Sequence, residues 1–513
     1  MQGKWTLFFF WLRVSVLLVV ATALVVVGVL VAREFRTSTY QAQFFAKMAK
    51  KATFSLEEGP SASIRFPASA PYDDRLGYSK LPAFIDKLKE RNFSVTQQAR
   101  ISEGMTELLD AGFFAPYAEK IQGGLTIQDC RQDTLFEERY PARVFERFDD
   151  LAPELVHSLL FIENRELLDP KTPKRNPAVE WDRLAHAVAV KAQNLITGQG
   201  NAPGGSTLAT QIEKYRHSSE GRTSSITEKL QQMVSASLRA YQHGEDTTEA
   251  RRQIVLAYLN TMPLSAKLGF GEVHGIGDGL WAWYGRDFTE VRRILKEDAA
   301  GKGNIQEMGL LYKQTLSLLI SQRRPSYYFD APEIELETLA DSYLRLLATA
   351  EVITPALRDA GLAAKLKRRA GRVPASDVSF VTQKAANAVR THLTGLMGGN
   401  FYDLDRLDLN VASTLNAPVQ ATVATLLQSL RNPAQAEALG LNNKQLLARG
   451  DPAGVVYSFT LYERGLDRNY LRVQTDNYDQ PLNINEGTKL DLGSTAKLLT
   501  LVTYLDVMAK LHE

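Results

Sequence analysis

Read for apolar and polar positions, the chain changes character several times along its length. VSVLLVVATALVVVGVLVA, Val14 to Ala32, runs without a charge for about 19 residues behind WTLFFFWL, which is enough helix to cross a bilayer. It exceeds the roughly 7–15-residue apolar core of a cleaved signal peptide, so the pattern predicts an uncleaved anchor. Next comes a mixed segment to about Gly124, in which GPSASIRFPASAPYDDRLGY carries the Gly, Pro and Ser punctuation of loops and short strands. From about Pro141 to Ala364 the period becomes helical almost throughout, in runs such as EWDRLAHAVAVKAQNLI, EKLQQMVSASLRAYQ, ARRQIVLAYLN and LYKQTLSLLISQ. KLKRRAGRVPASD, Lys365 to Asp377, is a basic connector, and FVTQKAANAVRTHL predicts one more helix. Beyond it, LDLNVASTLNAPVQ and GVVYSFTLYERG alternate as strands beside helices. No internal repeat or low-complexity tract interrupts this order.

One position breaks the helical pattern. In LVHSLLFIENREL, Pro153 suits the first position of a helix, and Ala152, Leu155, Val156, Leu159 and Leu160 then form one apolar face. The next place on that face is Glu163. An ionised carboxylate buried without partners costs several kcal/mol, so Glu163 must be paired, protonated or facing a cleft. Only the last makes a catalyst.

Composition and charge narrow the classes. With 513 residues, 44% hydrophobic and 23% charged, the chain has the makings of two or three globular domains. Lys+Arg 60 against Asp+Glu 58 leaves no broad basic field, which sets nucleic acid aside as a partner. Cys130 is the one cysteine, so a disulfide framework or thiolate zinc site within the chain is excluded. Counting Lys4 and Arg13 before the anchor against Arg33, Arg36, Lys47, Lys50 and Lys51 after it would place the large C-terminal part inside.

Three further constellations could carry chemistry. In TSSITEKLQQM, Glu228 starts a helix after Arg222, Ser224 and Ser225; Ser225 and Glu228 also fit a capping box in which Glu228 takes the amide of Ser225. Two carboxylates in one cleft would supply a base and a charge-stabilising group for transfer at a sugar carbon. APGGSTLATQIEKYR enters a helix behind Gly204 and Gly205, with Ser206 and Thr207 at its start and Gln211 and Lys214 following on one face; free amides there suit a phosphate, although the loop on its own favours an ordinary Ser cap. At the far end, Ser494 and Lys497 in LDLGSTAKLLTLVTYL stand three apart on one helical side, where an amine can activate a hydroxyl or merely solvate.

Together, in this order behind an anchor, these residues resemble the bifunctional class A penicillin-binding proteins. LLFIENREL is similar to the first motif of their peptidoglycan glycosyltransferase domain, GGSTLATQIEK to GGST-x-TQQ-x-x-K, and TSSITEKLQQM stands in the place of Arg-Lys-x-x-Glu. RRQIVLAYLN, closing on Asn260, resembles Lys-Asp-x-Ile-Leu-x-x-Tyr-Leu-Asn; FGEVHGIGDGLWAWYGR follows the next stretch, and SQRRPSYY the segment that closes the domain. STLNAPVQATVATLL and GSTAKLL resemble the opening of the transpeptidase domain. The resemblance implies a mainly α chain: membrane anchor 1–34, juxtamembrane lead-in module 35–124, lysozyme-like α-helical glycosyltransferase domain 125–370, linker 371–406 and an incomplete α/β penicillin-binding transpeptidase domain 407–513.

By motif position it also implies the chemistry. Glu163 would be the general base on the 4-hydroxyl of the acceptor sugar. Glu228 would assist departure of the lipid pyrophosphate, helped by a divalent cation (Mg or Mn) whose ligands are unassigned. Ser206, Thr207, Gln211, Lys214, Arg222 and Asn260 would bind substrate. The substrates would be lipid II, the undecaprenyl-diphosphate-linked disaccharide-pentapeptide, and the growing glycan strand; cell-wall synthesis proteins would be further partners. The implied place is the cytoplasmic membrane, single-pass, with the catalytic domain on the outer, periplasmic face, against the charge count. Ser494 would be the acyl-forming nucleophile and Lys497 its activating partner, but sixteen residues follow Lys497 without the SxN and KTG motifs, so no transpeptidation is expected.

The chain departs from the family pattern at Asn164, Pro170, Ala209, Thr210, Ser224 and Ser225. Losing two cations near a diphosphate would cost several kcal/mol of transition-state binding unless Arg222, Arg216 or Lys229 replaces them. Two other readings share the motifs: a weakened scaffold that binds lipid-linked substrate or cell-wall partners, and a lysozyme-like hydrolase.

Overall fold

The computed structural model of the chain describes residues 2–67, 70–181, 183, 190, 206–374, 379–441, 450–487, 489 and 493–512. The chain divides into two compact units, residues 1–124 with 139–375 and 406–408, and residues 125–138 with 376–405 and 409–513.

In the first unit a helix runs from Gln2 to Thr37. Within its Ser15–Thr37 stretch an 18-residue window has mean hydropathy 2.9 and none of that window is buried in the protein, so by length and composition the stretch could cross a membrane. The helix stops at Ser38, which is left-handed (φ 52°), and Glu34 then turns its carboxylate to the Tyr40 and Gln41 amides, both at 2.9 Å. These bonds cap the Thr39–Ala49 helix in place of a side chain at Ser38. That helix lays Ala42, Ala46 and Ala49 against Tyr241 and Leu238. The lead-in continues as an antiparallel pair, β1 (Phe54–Glu58) and β2 (Gln97–Ile101), with Phe54 opposite Ile101, followed by a Glu103–Asp110 helix capped by Ser102.

The core of this unit is helical, as the period predicts. Ile305–Ser321 is its centre, buried over nearly its whole length, and Pro153–Glu163, Gly275–Tyr284, Glu333–Thr349 and Pro355–Ala363 surround it. Lys313, fully buried in the middle, is held by Asp341 at 2.7 Å, Glu337 at 3.3 Å and the Ala364 carbonyl at 2.7 Å; a cation there is tolerable only with such a set. The period does not show that helices give way to an antiparallel pair, β5 (Pro263–Lys267) and β6 (Gly271–His274). The reversal into the next helix needs Gly275: its φ is 74°, and a Cβ would lie 2.2 Å from the Asn260 carbonyl oxygen.

The second unit mixes strands and helices. β3 (Gly123–Gln128) lies between β4 (Thr134–Tyr140) and β7 (Asp408–Ala412), and residues 125–138 group with the later part of the chain. The expected 371–406 linker contains the Phe380–Met397 helix, which packs with Ala417–Ser429 on β9 (Asn469–Asp476), itself antiparallel to β8 (Ser458–Arg464). The last helix, Ala496–His512, is exposed on every side.

Candidate active site

The site begins with the helix that raised the question. Leu155, Val156, Leu159 and Leu160 are buried in the core, and Glu163 ends the same helix with its side chain 12% exposed. An anion is disfavoured at a helix C-terminus, and donors from two other elements offset this. Gln211 Nε2 donates to Oε2 at 3.0 Å, and Arg323 Nη2 donates to Oε1 at 3.2 Å. The Tyr258 hydroxyl donates to Gln211 Oε1 at 3.4 Å, which fixes the amide with its NH₂ toward Glu163. Lys214, one turn beyond Gln211, sits near enough to feel the carboxylate: burial draws its amine below the usual lysine range, and the Glu163 charge opposes that.

Neighbouring groups hold this arrangement. Asn164 caps the Glu163 helix and is itself buried; its side-chain NH₂ donates to Glu180, and its Oδ1 accepts the Leu208 amide at 3.4 Å. Arg183 donates to the Glu163 carbonyl oxygen and to Glu180 Oε2. The fully buried Arg251 donates to the Leu167 carbonyl at 2.8 Å and the Asp169 carbonyl at 3.2 Å, fixing the chain after Glu163. The Asn164 departure thus has a local reason, since an aspartate there would face the Glu180 carboxylate instead of donating to it.

Glu163 opens onto a cavity of about 890 Å³. Asn164, Arg165, Arg175 and Arg183 line it with Glu163, and the end of the apolar N-terminal helix forms a wall through Ala32, Phe35 and Arg36. Phe35 stacks on Trp181 there, with ring centroids 4.4 Å apart and planes 8° from parallel.

Glu228 is held differently. Ser225 caps the Ile226–Ala240 helix by accepting the Glu228 amide, and the Glu228 carboxylate accepts the Ser224 amide at 2.6 Å and the Ser224 hydroxyl at 2.7 Å. The reciprocal bond therefore goes to Ser224 rather than to the expected Ser225. Burial raises the Glu228 carboxyl somewhat, but these hydrogen bonds outweigh it and hold it below the usual glutamate range. Among the described residues Glu228 shares no hydrogen bond or ion pair with the Glu163 group. Helix Leu208–His217 packs against the Glu228 helix and spans the interval, with about 9 Å of rise between Gln211 and His217.

The other expected substrate contacts divide. Thr207, 1% exposed, is the cap of the Leu208–His217 helix and exchanges bonds with Thr210, so its hydroxyl is not available to a phosphate; this also accounts for Thr210 where the family has Gln. Asn260 is fully buried, and its amide accepts the Phe145 N–H and donates to the Phe145 carbonyl, so it is a structural residue and not a ligand. Arg216, a possible substitute cation, is buried on Glu119 at 2.7 Å and is likewise excluded. Ser206 is half-buried, Arg222 is exposed, and Gly204 and Gly205 lie outside the described residues. In the second unit Lys497 Nζ is 3.4 Å from Ser494 Oγ at exposed positions. Sequence reasoning missed Arg323 and Tyr258, although both lie in quoted motifs, SQRRPSYY and RRQIVLAYLN; a basic pair directly after a buried helix was the available signal.

Residues 132–345 match the family model described as Transglycosylase. No curated protein sequence matches the chain. The matched segment takes in Glu163, Gln211, Lys214, Glu228 and Arg323, and the chain is accordingly a peptidoglycan glycosyltransferase of cell-wall synthesis whose transglycosylase domain lies within residues 132–345.

Proposed function

We propose that the enzyme polymerises lipid II with Glu163 as general base. The observation that carries this reading is a carboxylate at the end of an apolar helix face, gripped by Gln211 and Arg323 and open to a cavity walled partly by the apolar N-terminal helix. A carboxylate offers about four lone-pair sites, of which two are occupied, so two remain to take a proton. In the reaction the acceptor 4-hydroxyl oxygen attacks C1 of the donor sugar, its proton passes to Glu163, and the bond from C1 to the diphosphate oxygen breaks. The Phe35–Trp181 wall supports a lipid-linked substrate, because it continues an apolar helix into the cavity. We read the catalytic domain as lying on the outer face of the membrane, as the family resemblance implies, against the charge count.

Glu228, held ionised, is a poor proton donor. We assign it the shaping of residues 218–225 through Ser224, so that Arg222, with Lys214 on the adjoining helix, supplies positive charge to the departing diphosphate. A divalent cation has no ready protein cage: among the described residues no three His, Cys, Asp or Glu side chains are grouped to hold one. A cation would take its ligands mainly from substrate oxygens and water, and no step is assigned to it. In the second unit we read Ser494 and Lys497 as the hydroxyl–amine pair of a penicillin-binding fold, supported by their separation; the pair by itself is assigned no reaction.

The test is polymer formation by the purified chain in detergent with lipid II. Wild type should give glycan polymer, and Glu163→Gln should not. Unchanged strand length and rate in Glu163→Gln would reject the assignment.

A further inference from the structure

Behind the helix that carries Gln211 and Lys214 lies a group of charges the proposed reaction does not use. His217 ends that helix and is Lys214's neighbour three residues on. Its side chain is 8% exposed, and both ring nitrogens face carboxylates: Nε2 is 2.5 Å from Glu119 Oε1, and Nδ1 is 3.4 Å from Asp73 Oδ2. A neutral imidazole has one N–H and one acceptor nitrogen, so two carboxylate partners require the doubly protonated ring.

The surrounding charges agree. Glu119 also takes Arg216 at 2.7 Å and Arg239 at 3.1 Å, and Arg239 reaches Glu213 at 2.8 Å. Three carboxylates, Asp73, Glu119 and Glu213, thus meet two guanidiniums, and the cluster is neutral only with His217 as the third cation. Uncharged neighbours close it: the Tyr72 ring stands edge-on to His217 and under Arg216, Phe114 tilts against the imidazole from the other side, and Tyr117 lies against Arg239. Arg75 borders Tyr72. Burial by itself would lower the ring's affinity for its proton, but the Glu119 charge and the hydrogen bonds the ring donates to both carboxylates overcome this and push His217 up to about 9.

Asp73 and Glu119 belong to the segment between the apolar helix and the catalytic helices, whereas His217 belongs to the helix beside Glu163. We propose that His217 is a positioning residue of the glycosyltransferase: as an imidazolium between Asp73 and Glu119 it clamps the lead-in segment onto the Gln211–Lys214 helix, and polymerisation requires that segment docked. This rests on the reading above that Gln211 and Lys214 face substrate. The ring's proton is bound more tightly in the folded chain than at the ordinary value of 6.5, so the clamp contributes in full below pH 6.5 and is lost as pH rises through about 9.

The experiment uses the full chain in detergent with lipid II, following KM and kcat from neutral to alkaline pH, together with hydrogen exchange of residues 71–75 and 113–119 corrected for intrinsic rate. Wild type should lose protection and polymerisation together above about pH 9, by about tenfold per pH unit. His217→Gln should raise KM about tenfold at neutral pH, with weakened protection and no alkaline limb in that protection. Asp73→Asn with His217→Gln, which leaves two carboxylates on two guanidiniums, should restore protection and bring KM to within about threefold of wild type, still without the limb. A His217→Gln chain that keeps the wild-type KM and limb overturns the inference, as does protection that follows His217 while polymerisation ignores it. If protection follows His217 but Gln211→Ala and Lys214→Ala leave KM unchanged, the failure lies in the assignment of that helix face and not in the clamp.

Discussion

Glu163 and Glu228 are both held by hydrogen bonds at helix ends, but the ends are opposite and so are the sources of the donors. Glu163 closes its helix, where the backbone presents carbonyls, and depends on Gln211 and Arg323 from two other elements. Glu228 lies in the first turn of its helix, where free amides welcome an anion, and its partners Ser224 and Ser225 are its own chain neighbours. The first is therefore a tertiary construction whose ligand-free lone pairs face a cavity, and the second a local one whose carboxylate is already engaged. A base suits the first setting and an organiser of a loop suits the second.

The sharpest way to break this contrast is to neutralise each acid in turn. Glu163→Gln should lower kcat by about 10²–10⁴-fold, the range for a lost general base, while the melting transition holds. Glu228→Gln should cost only about tenfold, as a group that acts by placing charge nearby. Equal losses, measured as initial rates of lipid II consumption, would erase the distinction and return Glu228 to a direct part in the chemistry.

A smaller effect is expected where Glu163 is anchored. Asn164→Asp would set a carboxylate against Glu180, both sparsely exposed, and should destabilise the first unit by about 1–3 kcal/mol. Adding Glu180→Gln should recover most of that, because a carboxylate at 164 can then accept an amide N–H. If Asn164→Asp is neutral in a denaturant titration, the buried donor bond to Glu180 is not what the position requires.

How far each acid was legible in the sequence follows from the same contrast. The Glu228 cap is written within four residues as a serine followed three places later by a glutamate, and only its partner moved by one position, to Ser224. The face leading to Glu163 was legible too, since period alone places Leu155, Val156, Leu159 and Leu160 inside. What surrounds the Glu163 carboxylate was not, because Gln211 lies 48 positions away and Arg323 160, and no local period encodes such meetings. Thr207 and Asn260 show the converse. Their motif positions suggest ligand contacts, yet both are consumed by backbone groups once packed. The β5–β6 pair was hidden inside a segment whose composition reads as helix, where glycines at 269, 271 and 275 with positive φ decide the path.

The smallest effect should come from the Glu228 cap. Ser225→Ala removes the acceptor for the Glu228 amide and should cost about 1 kcal/mol, while Ser224→Ala removes one hydroxyl donor, leaves the backbone donor in place, and should cost less. The two differ in their pH dependence, and that separates cap from charge. Because its hydrogen bonds outweigh burial and hold Glu228 below the ordinary 4.5, their contribution is present above that value and disappears as pH falls through the lowered folded value. Ser224 bonds the carboxylate itself, so the gap between wild type and Ser224→Ala should close in acid. Ser225 bonds only the backbone amide, which does not titrate, so its gap should persist. Denaturant midpoints of both variants between pH 3 and 7 would read this directly, and parallel curves would mean that Glu228 is not held as an anion by the loop it is proposed to shape.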